Sequence, residues 1–546
     1  MLNNIMQPNI TAYDSTLRDG AQAQGVSFTV EDKLKIVQRL DDLGISYIEA
    51  GNPGSNPKDL LFFERARALK LKHAKIIAFG STRKPNISAA ADNNLQSLLL
   101  AKTDAVAIFG KSWDYQATDI LRTTLNENLA MIGDSVKFLK AQDKEVVFDA
   151  EHFFDGYKVN PNYALNTLQA AADAGADVLC LCDTNGGSFP DEVFDITQKV
   201  VARFKIKVGI HCHNDCEMAV ANSVAAVKAG ATQVQGTING IGERCGNANL
   251  CSIIPNVQLK LGLSCIPQKN MVELASAARF VSEIANVAFN DKAAYVGNDA
   301  FAHKGGMHID AVSKNPISYE HINPALVGNT RHILVSEVAG RSALLTKINA
   351  VDASLTKDSL ETKRILAHLK MLENDGYQFE SAESSFDLLI HKLLARFEPF
   401  FVLNDYKVSV QEYAENRGNN ALASVNISVN NQIEAVTAEG DGPVNALDKA
   451  IRKALERFYP QIAQVKLVDY KVRVLDSDQA TAAKVRVLIE SADQNSTWTT
   501  IGVSTDIIDA SWRALCDSIE YKLLQDSQVT TLKLTTLKST ALKAIA

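Results

Sequence analysis

Ordered cysteine spacing is the first feature that this sequence lacks. Eight cysteines occur among 546 residues, with no Cys-x-x-Cys pair and no regular interval between them. Cys180 and Cys182 stand inside an apolar run that is typical of a strand. This spacing excludes the disulfide frameworks of small secreted domains, and it predicts free, buried thiols in a reducing cytosol.

The sequence also lacks blocks of charge of one sign and long apolar runs. Its 56 Lys and Arg against 63 Asp and Glu give a net charge of −7, spread along the chain. No run reaches the length of a membrane span, and no basic stretch followed by an apolar one stands at the start. These absences argue against nucleic acid and membranes as partners, and we expect a soluble, cytoplasmic protein.

From residue 9 to about residue 262, short β-branched runs alternate with amphipathic helical stretches. The predicted strands are Ile10–Leu17, Tyr47–Gly51, Lys75–Gly80, Ala105–Gly110, Glu145–Phe153, Asp177–Thr184, Lys207–His213 and Gln233–Asn239. Helical patterns between them include Glu31–Leu43, Pro57–Leu69, Tyr163–Ala174, Pro190–Phe204 and Met218–Ala229. No Gly-x-Gly-x-x-Gly fingerprint follows the first strand, so we expect an α/β fold of the closed (β/α)8 TIM barrel type rather than an open doubly wound sheet.

The seventh predicted strand, Lys-Val-Gly-Ile-His-Cys-His, carries the strongest signal of chemistry. Residues i and i+2 of a strand face the same way, with Cα atoms about 6.6 Å apart, so His211 and His213 can converge on one ion. The alternate residues, which would face apolar packing, are Val208, Ile210 and Cys212. Two polar residues that merely close a strand are the plainer interpretation, but this pattern favours a divalent metal site.

Active sites of such barrels lie at the carboxyl ends of the strands, where this sequence places many polar residues. In chain order they are Arg18, Asp19, Glu49, Arg83, Glu151, His152, Asp183, Thr184, His211, His213, Asn239, Glu243 and Arg244. Asp19 and the two histidines supply one carboxylate and two imidazoles, which leaves positions open for substrate oxygens. From the residues alone, a structural network of Arg18, Asp19 and Glu151 is an equal alternative, and Glu49 could bind a substrate or anchor Arg18.

Three motifs on this barrel pattern resemble the signatures of the DRE-TIM metallolyases. They are Thr-Leu-Arg-Asp-Gly-Ala-Gln at Thr16–Gln22, His-Cys-His at His211–His213, and Asn-Gly-Ile-Gly-Glu-Arg-Cys-Gly-Asn at Asn239–Asn247. The resemblance extends nearly end to end to the acyl-CoA Claisen-condensing branch, which includes 2-isopropylmalate, homocitrate and citramalate synthases. Within that branch Ile48–Asp59 resembles the citramalate synthase form, although Asn52 stands where that form more often has an aromatic residue.

The resemblance implies a metal-dependent condensation. Asp19, His211 and His213 would hold a divalent ion (Mn²⁺, Mg²⁺, Co²⁺ or Zn²⁺), with Asn247 as a further ligand. A 2-oxo acid would chelate that ion through its carboxylate and keto oxygens. Arg18 would stabilise the negative charge that develops on the enolate and then on the alkoxide.

The remaining site residues are also implied by the resemblance. Glu151 would remove a proton from the methyl group of acetyl-CoA, and Thr184 would contact the carboxylate of the 2-oxo acid. Apart from the resemblance, we also expect Arg18 and Glu49 to bind the substrate. Phe301–His308 resembles a linker motif in which a histidine, here His308, reaches an active site, often that of the other subunit, and assists proton transfer. In isolation His308 would be interpreted as a surface-loop histidine.

A chain of 546 residues exceeds what one core usually organises. We predict a catalytic barrel at residues 1–275, linker subdomains at 276–395, a C-terminal domain at 396–528 and a flexible tail at 529–546. Within the C-terminal domain, the sequence Asp-Tyr-Lys-Val occurs at Asp405 and again, 64 residues later, at Asp469. A pair of helical alanines recurs at the same offset, Ala446 and Ala450 followed by Ala510 and Ala514. Two copies of a unit with strands followed by one helix are implied.

This duplicated α+β region resembles the allosteric dimerisation domain of the same synthases. A repeat can simply bury shared apolar faces, but it also forms a pseudo-two-fold surface suited to dimerisation and to a small ligand. The resemblance implies a homodimer regulated by an end-product amino acid, isoleucine in the citramalate branch.

The function that we expect is an acyltransferase that condenses acetyl-CoA with pyruvate to (R)-citramalate and CoA in isoleucine biosynthesis. One alternative keeps the chemistry but takes 2-oxoisovalerate for leucine biosynthesis, which requires a roomier pocket. Another is a retro-aldol lyase of a 3-hydroxy-3-methylglutaryl-type thioester, against which the C-terminal duplication argues. A non-catalytic amino-acid sensor is disfavoured because every type of ligand is present at the barrel mouth.

Overall fold

The computed structural model describes residues 10–333, 345, 348–349, 351–356, 358–379, 382–411, 420–475, 483–493 and 496–545. The chain divides into two compact units. The first comprises Met1–Ala302 with Glu320–His332, and the second comprises His303–Tyr319 with Ile333–Ala546. Across the described ranges, no helix combines the length and apolar character that a membrane crossing requires.

The first unit contains a closed barrel of eight parallel strands in chain order. The strands are β1 (Thr11–Asp14), β2 (Tyr47–Glu49), β3 (Lys75–Ser81), β4 (Ala105–Lys111), β5 (Glu145–Glu151), β6 (Val178–Asp183), β7 (Lys207–Cys212) and β8 (Gln233–Gly236). Strand β1 pairs with both β2 and β8, which closes the sheet. The predicted (β/α)8 TIM barrel is confirmed.

Helices alternate with these strands. They are α1 (Val30–Leu43), α2 (Pro57–Ala66), α3 (Asn93–Leu100), α4 (Leu125–Lys140), α5 (Phe153–Val159), α6 (Pro161–Asp173), α7 (Pro190–Arg203), α8 (Ala219–Lys228), α9 (Leu250–Pro255) and α10 (Leu274–Ile284). In α1, Thr29 and Asp32 cap each other's backbone N–H groups, so the helix begins where the sequence supplies a capping box. Its apolar stripe, which includes Ile36 and Leu40, is fully buried.

Six of the eight strands end one to three residues earlier than the sequence predicts, and the two that end three residues early, β1 and β8, are followed by loops that carry candidate site residues. Strand β1 ends at Asp14 because its carboxylate accepts hydrogen bonds from N and Oγ1 of Thr16, at 3.0 and 2.7 Å, which turns the chain. Strand β8 ends at Gly236, and Asn239 adopts a left-handed conformation with φ 61° in a short 3-10 turn. These turns place the motif residues on loops above the barrel.

The two faces of the barrel strands pack differently. Val208, Ile210 and Cys212 of β7 lie in the large core between sheet and helices, as predicted. A separate apolar cluster fills the interior: Tyr13, Ile77, Ala105, Ala107, Val147, Val178, Cys180 and Cys182. All eight cysteines, each within the described ranges, are free thiols, and burial raises the pKa of Cys180 and of Cys212 well above the usual range.

Between the barrel and the C-terminal repeat, the described ranges include short strands and several helices. Among them are β9 (Ala302–His303), α11 (Gly306–Lys314), β10 (His332–Ile333), α12 (Leu360–Asn374) and α13 (Glu383–Leu393). Helices α12 and α13 contribute Ile365, Leu369, Phe386 and Ile390 to an apolar cluster of the second unit, which also includes Ile501.

The predicted duplication is present in the second unit. The first copy consists of β11 (Val402–Gln411), β12 (Asn420–Val429), β13 (Gln432–Gly440) and α14 (Pro443–Glu456). The second consists of β14 (Lys466–Val474), β15 (Val485–Ala492), β16 (Thr497–Ser504) and α15 (Ile507–Ile545). Each copy has an antiparallel three-stranded sheet, and each has a register shift at the same place, before Asp405 and before Asp469.

The two copies share one apolar core. The repeated alanines, Ala446 and Ala450 in α14 and Ala510 and Ala514 in α15, have no exposed surface. Tyr406 of the first copy stacks on Trp512 of the second with ring centroids 5.1 Å apart. The repeat therefore does bury shared faces. Helix α15 continues to Ile545, through the segment for which we predict a flexible tail, and that flexibility stays a prediction.

Gly236 provides a test of how tightly the loop after β8 is held. An added Cβ there would lie 2.3 Å from the carbonyl oxygen of Ala248. We expect Gly236→Ala to displace this segment and to lower the free energy of unfolding by about 1–3 kcal/mol. Gly133→Ala in the middle of α4, where the nearest atom is 3.7 Å from the added Cβ, should stabilise by about 0.5–1 kcal/mol. Unfolding in urea measures both, and a wild-type midpoint for Gly236→Ala would contradict this account.

Candidate active site

Three predicted metal ligands meet at the carboxyl ends of the barrel strands. Asp19 lies on the loop after β1, and His211 and His213 lie at the end of β7 and directly after it. Asp19 Oδ2 is 3.4 Å from His211 Nε2 and 4.0 Å from His213 Nε2. One ligand atom from each residue lies within 4.8 Å of the others, and all three side chains are buried.

Asn247 joins this group from the loop after β8. It forms an isolated antiparallel bridge with His213, which places the end of the Gly-Asn motif beside the histidines. Its Nδ2 donates a 3.5 Å hydrogen bond to the Ile241 carbonyl. This bond uses the donor end of the amide and leaves the Oδ1 atom available to a cation.

The polar atoms of this group fit a divalent cation. Within the described part of the chain, Asp19 Oδ1, His213 Nδ1 and Asn247 Oδ1 are buried and have no hydrogen-bond partner. A buried polar atom without a partner costs about 1–3 kcal/mol, so several of them in one place indicate a missing ligand. Carboxylate, imidazole and amide oxygen are donors that Mg²⁺, Mn²⁺, Co²⁺ and Zn²⁺ accept to different degrees.

The charges of these side chains are strongly coupled. Burial alone would raise the pKa of Asp19, but Arg18 and the hydrogen bond from His211 hold it far below its usual range. Burial would lower the pKa of His211, yet the partner Asp19 raises it. Burial and the charge of His211 lower the pKa of His213 to about 4. A cation at this site would take the place of the proton on His211.

Arg18 is held rigidly beside the ligand group. Its Nη1 donates to Asp19 Oδ2 at 3.0 Å, its Nε donates to Glu49 Oε2 at 2.5 Å, and its guanidinium carbon lies 3.9 Å from the centre of the Phe79 ring. Glu49 also accepts hydrogen bonds from Tyr13 and Ser15 at 2.6 and 2.5 Å. Glu49 therefore anchors Arg18, and a direct contact of Glu49 with substrate stays a prediction.

Glu151 has a partner that the sequence analysis missed. The structure pairs Lys111, the last residue of β4, with Glu151, the last residue of β5, and their Nζ and Oε2 atoms lie 2.5 Å apart. Lys111 directly follows Gly110, where the fourth predicted strand stops one residue short. A strand end read one residue further would have added this lysine to the polar residues of the mouth.

Thr184 lies directly after β6, with its side chain engaged by the neighbouring loop. Its Oγ1 accepts a 2.8 Å hydrogen bond from the backbone N of His152, which leaves the hydroxyl hydrogen free to donate. Arg244 donates to the Thr184 carbonyl at 2.7 Å and pairs with Asp215. Asp183 accepts from Ser188 and is therefore part of the loop's internal structure.

Two polar residues of the predicted strand ends do not join the site. Arg83 pairs with Glu127 and Asp134 of α4, because its side chain faces the helix layer. Asn239 donates to the Ala278 carbonyl at 2.7 Å, since its left-handed backbone turns the amide toward α10. Their inclusion at the mouth was wrong.

His308 lies in the second unit, on helix α11. Its ring is exposed and stacks on Tyr319, with centroids 4.0 Å apart. The predicted approach of His308 to an active site stays a prediction.

The barrel and its mouth define a class: (β/α)8 proteins with a candidate divalent-metal centre beside an anchored arginine. Family comparisons agree with this class. The HMGL-like family matches residues 9–281, the "homocitrate synthase post-HMGL domain-like" family matches 295–376, and the "LeuA allosteric (dimerisation) domain" matches 380–523.

Curated relatives narrow the class further. The (R)-citramalate synthase of Aquifex aeolicus is 53% identical over 524 residues, covering 96% of this chain and 99% of the relative. That of Geobacter sulfurreducens is 51% identical, covering 95% and 98%. The 2-isopropylmalate synthase of Methanocaldococcus jannaschii is 31% identical, covering 95% and 96%. The chain belongs to the family of the (R)-citramalate synthases.

Asp19→Asn tests the metal centre directly. The change removes the one carboxylate of the group, and with it the negative charge that separates the cation from Arg18. We expect Mn²⁺ affinity, measured by titration calorimetry, to fall by more than the roughly 10- to 100-fold that loss of an outer-shell partner costs.

Asp134→Asn is the matched control. Asp134 lies on α4, away from the mouth, and pairs there with Arg83. The Mn²⁺ affinity of this variant should equal that of the wild type. Equal binding by Asp19→Asn and Asp134→Asn would reject the assignment of Asp19 as a ligand.

Proposed function

We propose that this chain condenses acetyl-CoA with pyruvate, releasing (R)-citramalate and free CoA. The observation that carries the proposal is the convergence of Asp19, His211 and His213 within 4.8 Å, with Arg18 anchored beside them. The likeness to (R)-citramalate synthases at 53% identity over nearly the whole chain supports pyruvate as the acceptor. The 31% identity to a 2-isopropylmalate synthase makes 2-oxoisovalerate the weaker candidate.

Asp19, His211, His213 and Asn247 would hold the divalent ion. When bound, such an ion polarises the keto group of a 2-oxo acid and so makes its carbon electrophilic. The burial of the four residues excludes water, which strengthens every electrostatic interaction at this point.

Arg18 and Thr184 would bind and orient the reacting groups. Glu49 and the Phe79 ring fix the guanidinium of Arg18, so its donors are in place before negative charge develops on the enolate and then on the alkoxide. The oxygen of the Thr184 hydroxyl accepts from the His152 amide, and the hydroxyl hydrogen is left to donate to the carboxylate of the 2-oxo acid.

A cavity next to Arg18, which we propose receives the side chain of the 2-oxo acid, has aromatic residues in its lining. The cavity is lined by Arg18, Asn52, Phe79 and Phe109 among others, and the two phenylalanine rings stack with centroids 5.5 Å apart. Stacked rings limit the room for the side chain of a 2-oxo acid, which favours the methyl group of pyruvate over a branched side chain. Asn52, the departure from the citramalate form, lies on this same wall.

Glu151 would remove a proton from the methyl group of acetyl-CoA. The new carbon–carbon bond then forms between that carbon and the keto carbon of pyruvate, and the alkoxide takes up a proton, for which His308 is our candidate donor. Water hydrolyses the thioester of the product, which releases CoA and makes the reaction irreversible in practice. We further propose that isoleucine, as the pathway end product, binds the C-terminal repeat and that the protein is a homodimer.

The proposed reaction is tested by thiol release from acetyl-CoA with pyruvate, 2-oxobutyrate, 2-oxoisovalerate and 2-oxoglutarate. We expect kcat/KM for pyruvate to exceed that for 2-oxoisovalerate by at least about tenfold, since even one methylene is worth roughly 10- to 200-fold in such pockets. A chelator should abolish the release, and added Mn²⁺ should restore it. Preference for 2-oxoisovalerate would assign the chain to leucine synthesis, and release with none of the four would refute the condensation.

The ion pair between Glu151 and Lys111 predicts a graded effect on kcat. Glu151→Gln should lower kcat by about 10²- to 10⁴-fold with little change in KM for pyruvate, as expected for loss of a base. Lys111→Met should lower kcat less, because the base remains but loses the group that positions it, and Lys111→Arg should recover most of the loss.

Lys75→Met is the control for Lys111→Met. Lys75 forms an ion pair of similar length, 2.7 Å, with Glu145. Both residues lie at the amino-terminal ends of their strands, β3 and β5, away from the mouth. The kcat of Lys75→Met should be that of the wild type. A Lys111→Met enzyme with unchanged kcat would show that this lysine does not position the base.

A further inference from the structure

A chain of buried amides and carboxylates lies directly behind His211, inside the barrel. Gln235 of β8 is the register partner of His211, and its Oε1 lies 3.1 Å from His211 Nδ1. The Nε2 of Gln235 donates to Asp149 Oδ1 of β5 at 3.1 Å and, more weakly, to Gln233 Oε1 at 3.4 Å. Gln235, Gln233 and Asp149 are 0%, 1% and 4% exposed, so none of them serves solubility.

The chemistry of the chain fixes its direction. Gln235 directs its NH₂ group at Asp149 Oδ1, and a carboxylate oxygen accepts hydrogen bonds. The carbonyl oxygen of the same amide is thereby directed at His211 Nδ1. An amide carbonyl only accepts, so the Nδ1 of His211 must carry a hydrogen.

A hydrogen on Nδ1 leaves the other ring nitrogen for coordination. Nε2 of His211 is the atom that faces Asp19 Oδ2, at 3.4 Å. In metal sites of proteins, the second nitrogen of a histidine ligand usually donates to such a partner, which fixes the tautomer and the plane of the ring. The residues behind His211 supply that partner from two other strands.

We infer that Gln235 and Asp149 are positioning residues, which hold His211 with hydrogen on Nδ1 and with Nε2 directed at a divalent cation. The inference rests on the proposed metal centre and extends it to a second layer of side chains. A purely structural role for Gln235 predicts a different result: an apolar residue of similar size would fill its place in the barrel interior without loss of metal binding.

Titration of the purified full chain with Mn²⁺ separates the two roles. Gln235→Leu removes the acceptor and should weaken Mn²⁺ binding by about 10- to 100-fold. Gln233→Leu makes the same chemical change on the same strand, at a buried glutamine that bonds to Gln235 and not to His211, and it should bind Mn²⁺ as the wild type does. Equal affinity of Gln235→Leu and wild type would overturn the inference.

A double variant tests the direction of the chain. In Gln235→Glu with Asp149→Asn, the new glutamate accepts from His211 and the new asparagine amide donates to the glutamate, so the two hydrogen bonds that link residues 211, 235 and 149 are rebuilt with the same shape. This variant should bind Mn²⁺ at least as tightly as the wild type. An affinity as low as that of Gln235→Leu would contradict a positioning role.

The tautomer itself can be observed without any variant, which covers the case in which Gln235→Leu does not fold. Nitrogen-15 spectra of histidine-labelled, Zn²⁺-loaded protein should show His211 protonated at Nδ1 and coordinated through Nε2, and coordination through Nδ1 would overturn the inference. Failure of the wild type to bind either metal would instead remove the proposed centre, which distinguishes the two failures.

Discussion

The mouth of this barrel depends on one buried carboxylate. Asp19 is 2% exposed, and a charge at such a site is tolerated only where opposite charges and hydrogen bonds surround it. Arg18 and His211 meet that need at 3.0 and 3.4 Å, and both are in turn held by other side chains, Arg18 by Glu49 and His211 by Gln235. The positions of Arg18 and His211 follow from the requirement to compensate this single charge.

That requirement also explains why the barrel interior is not uniformly apolar. Below the mouth, Tyr13, Val147 and Cys180 form the packed interior expected of a (β/α)8 fold. Among them, Glu49, Asp149 and Gln235 form polar chains in which each carboxylate accepts from at least one donor. Fully partnered networks of this kind restrict side-chain motion, and a site that binds a small 2-oxo acid needs its groups held to within fractions of an ångström.

The C-terminal repeat follows a different principle. Its two copies use the same register shift and the same pairs of small residues, so each sheet accepts one helix at close range and the two halves complete a common core. A pseudo-symmetric body of this kind offers two related surfaces from one chain, which suits a domain family described as allosteric and dimerising. The candidate metal site and the C-terminal repeat thus belong to separately built parts of the chain.

Much of this could be predicted from the sequence because the relevant signals are local. Apolar residues that recur with a period of two residues indicated strands, and those with a period of about 3.6 residues indicated helices. The His-x-His pattern placed two candidate ligands on one face of a strand, because residues i and i+2 share a face. Contacts between strands were less accessible. Examples are the pairing of Lys111 with Glu151, the support of His211 by Gln235 and Asp149, and the turning of Arg83 toward α4. These contacts depend on how the barrel places strands that are distant in the sequence. The separation is 24 residues for His211 and Gln235 and 86 residues for Asp149 and Gln235.

The sequence by itself therefore determined the fold class, the repeat and the residues of the candidate metal site, because periodicity and short motifs are properties of neighbouring residues. The tertiary structure decided which polar side chains face the mouth and which partner each one has. Those choices are made by barrel closure, which brings distant strand ends to one rim and sets the direction of every side chain there.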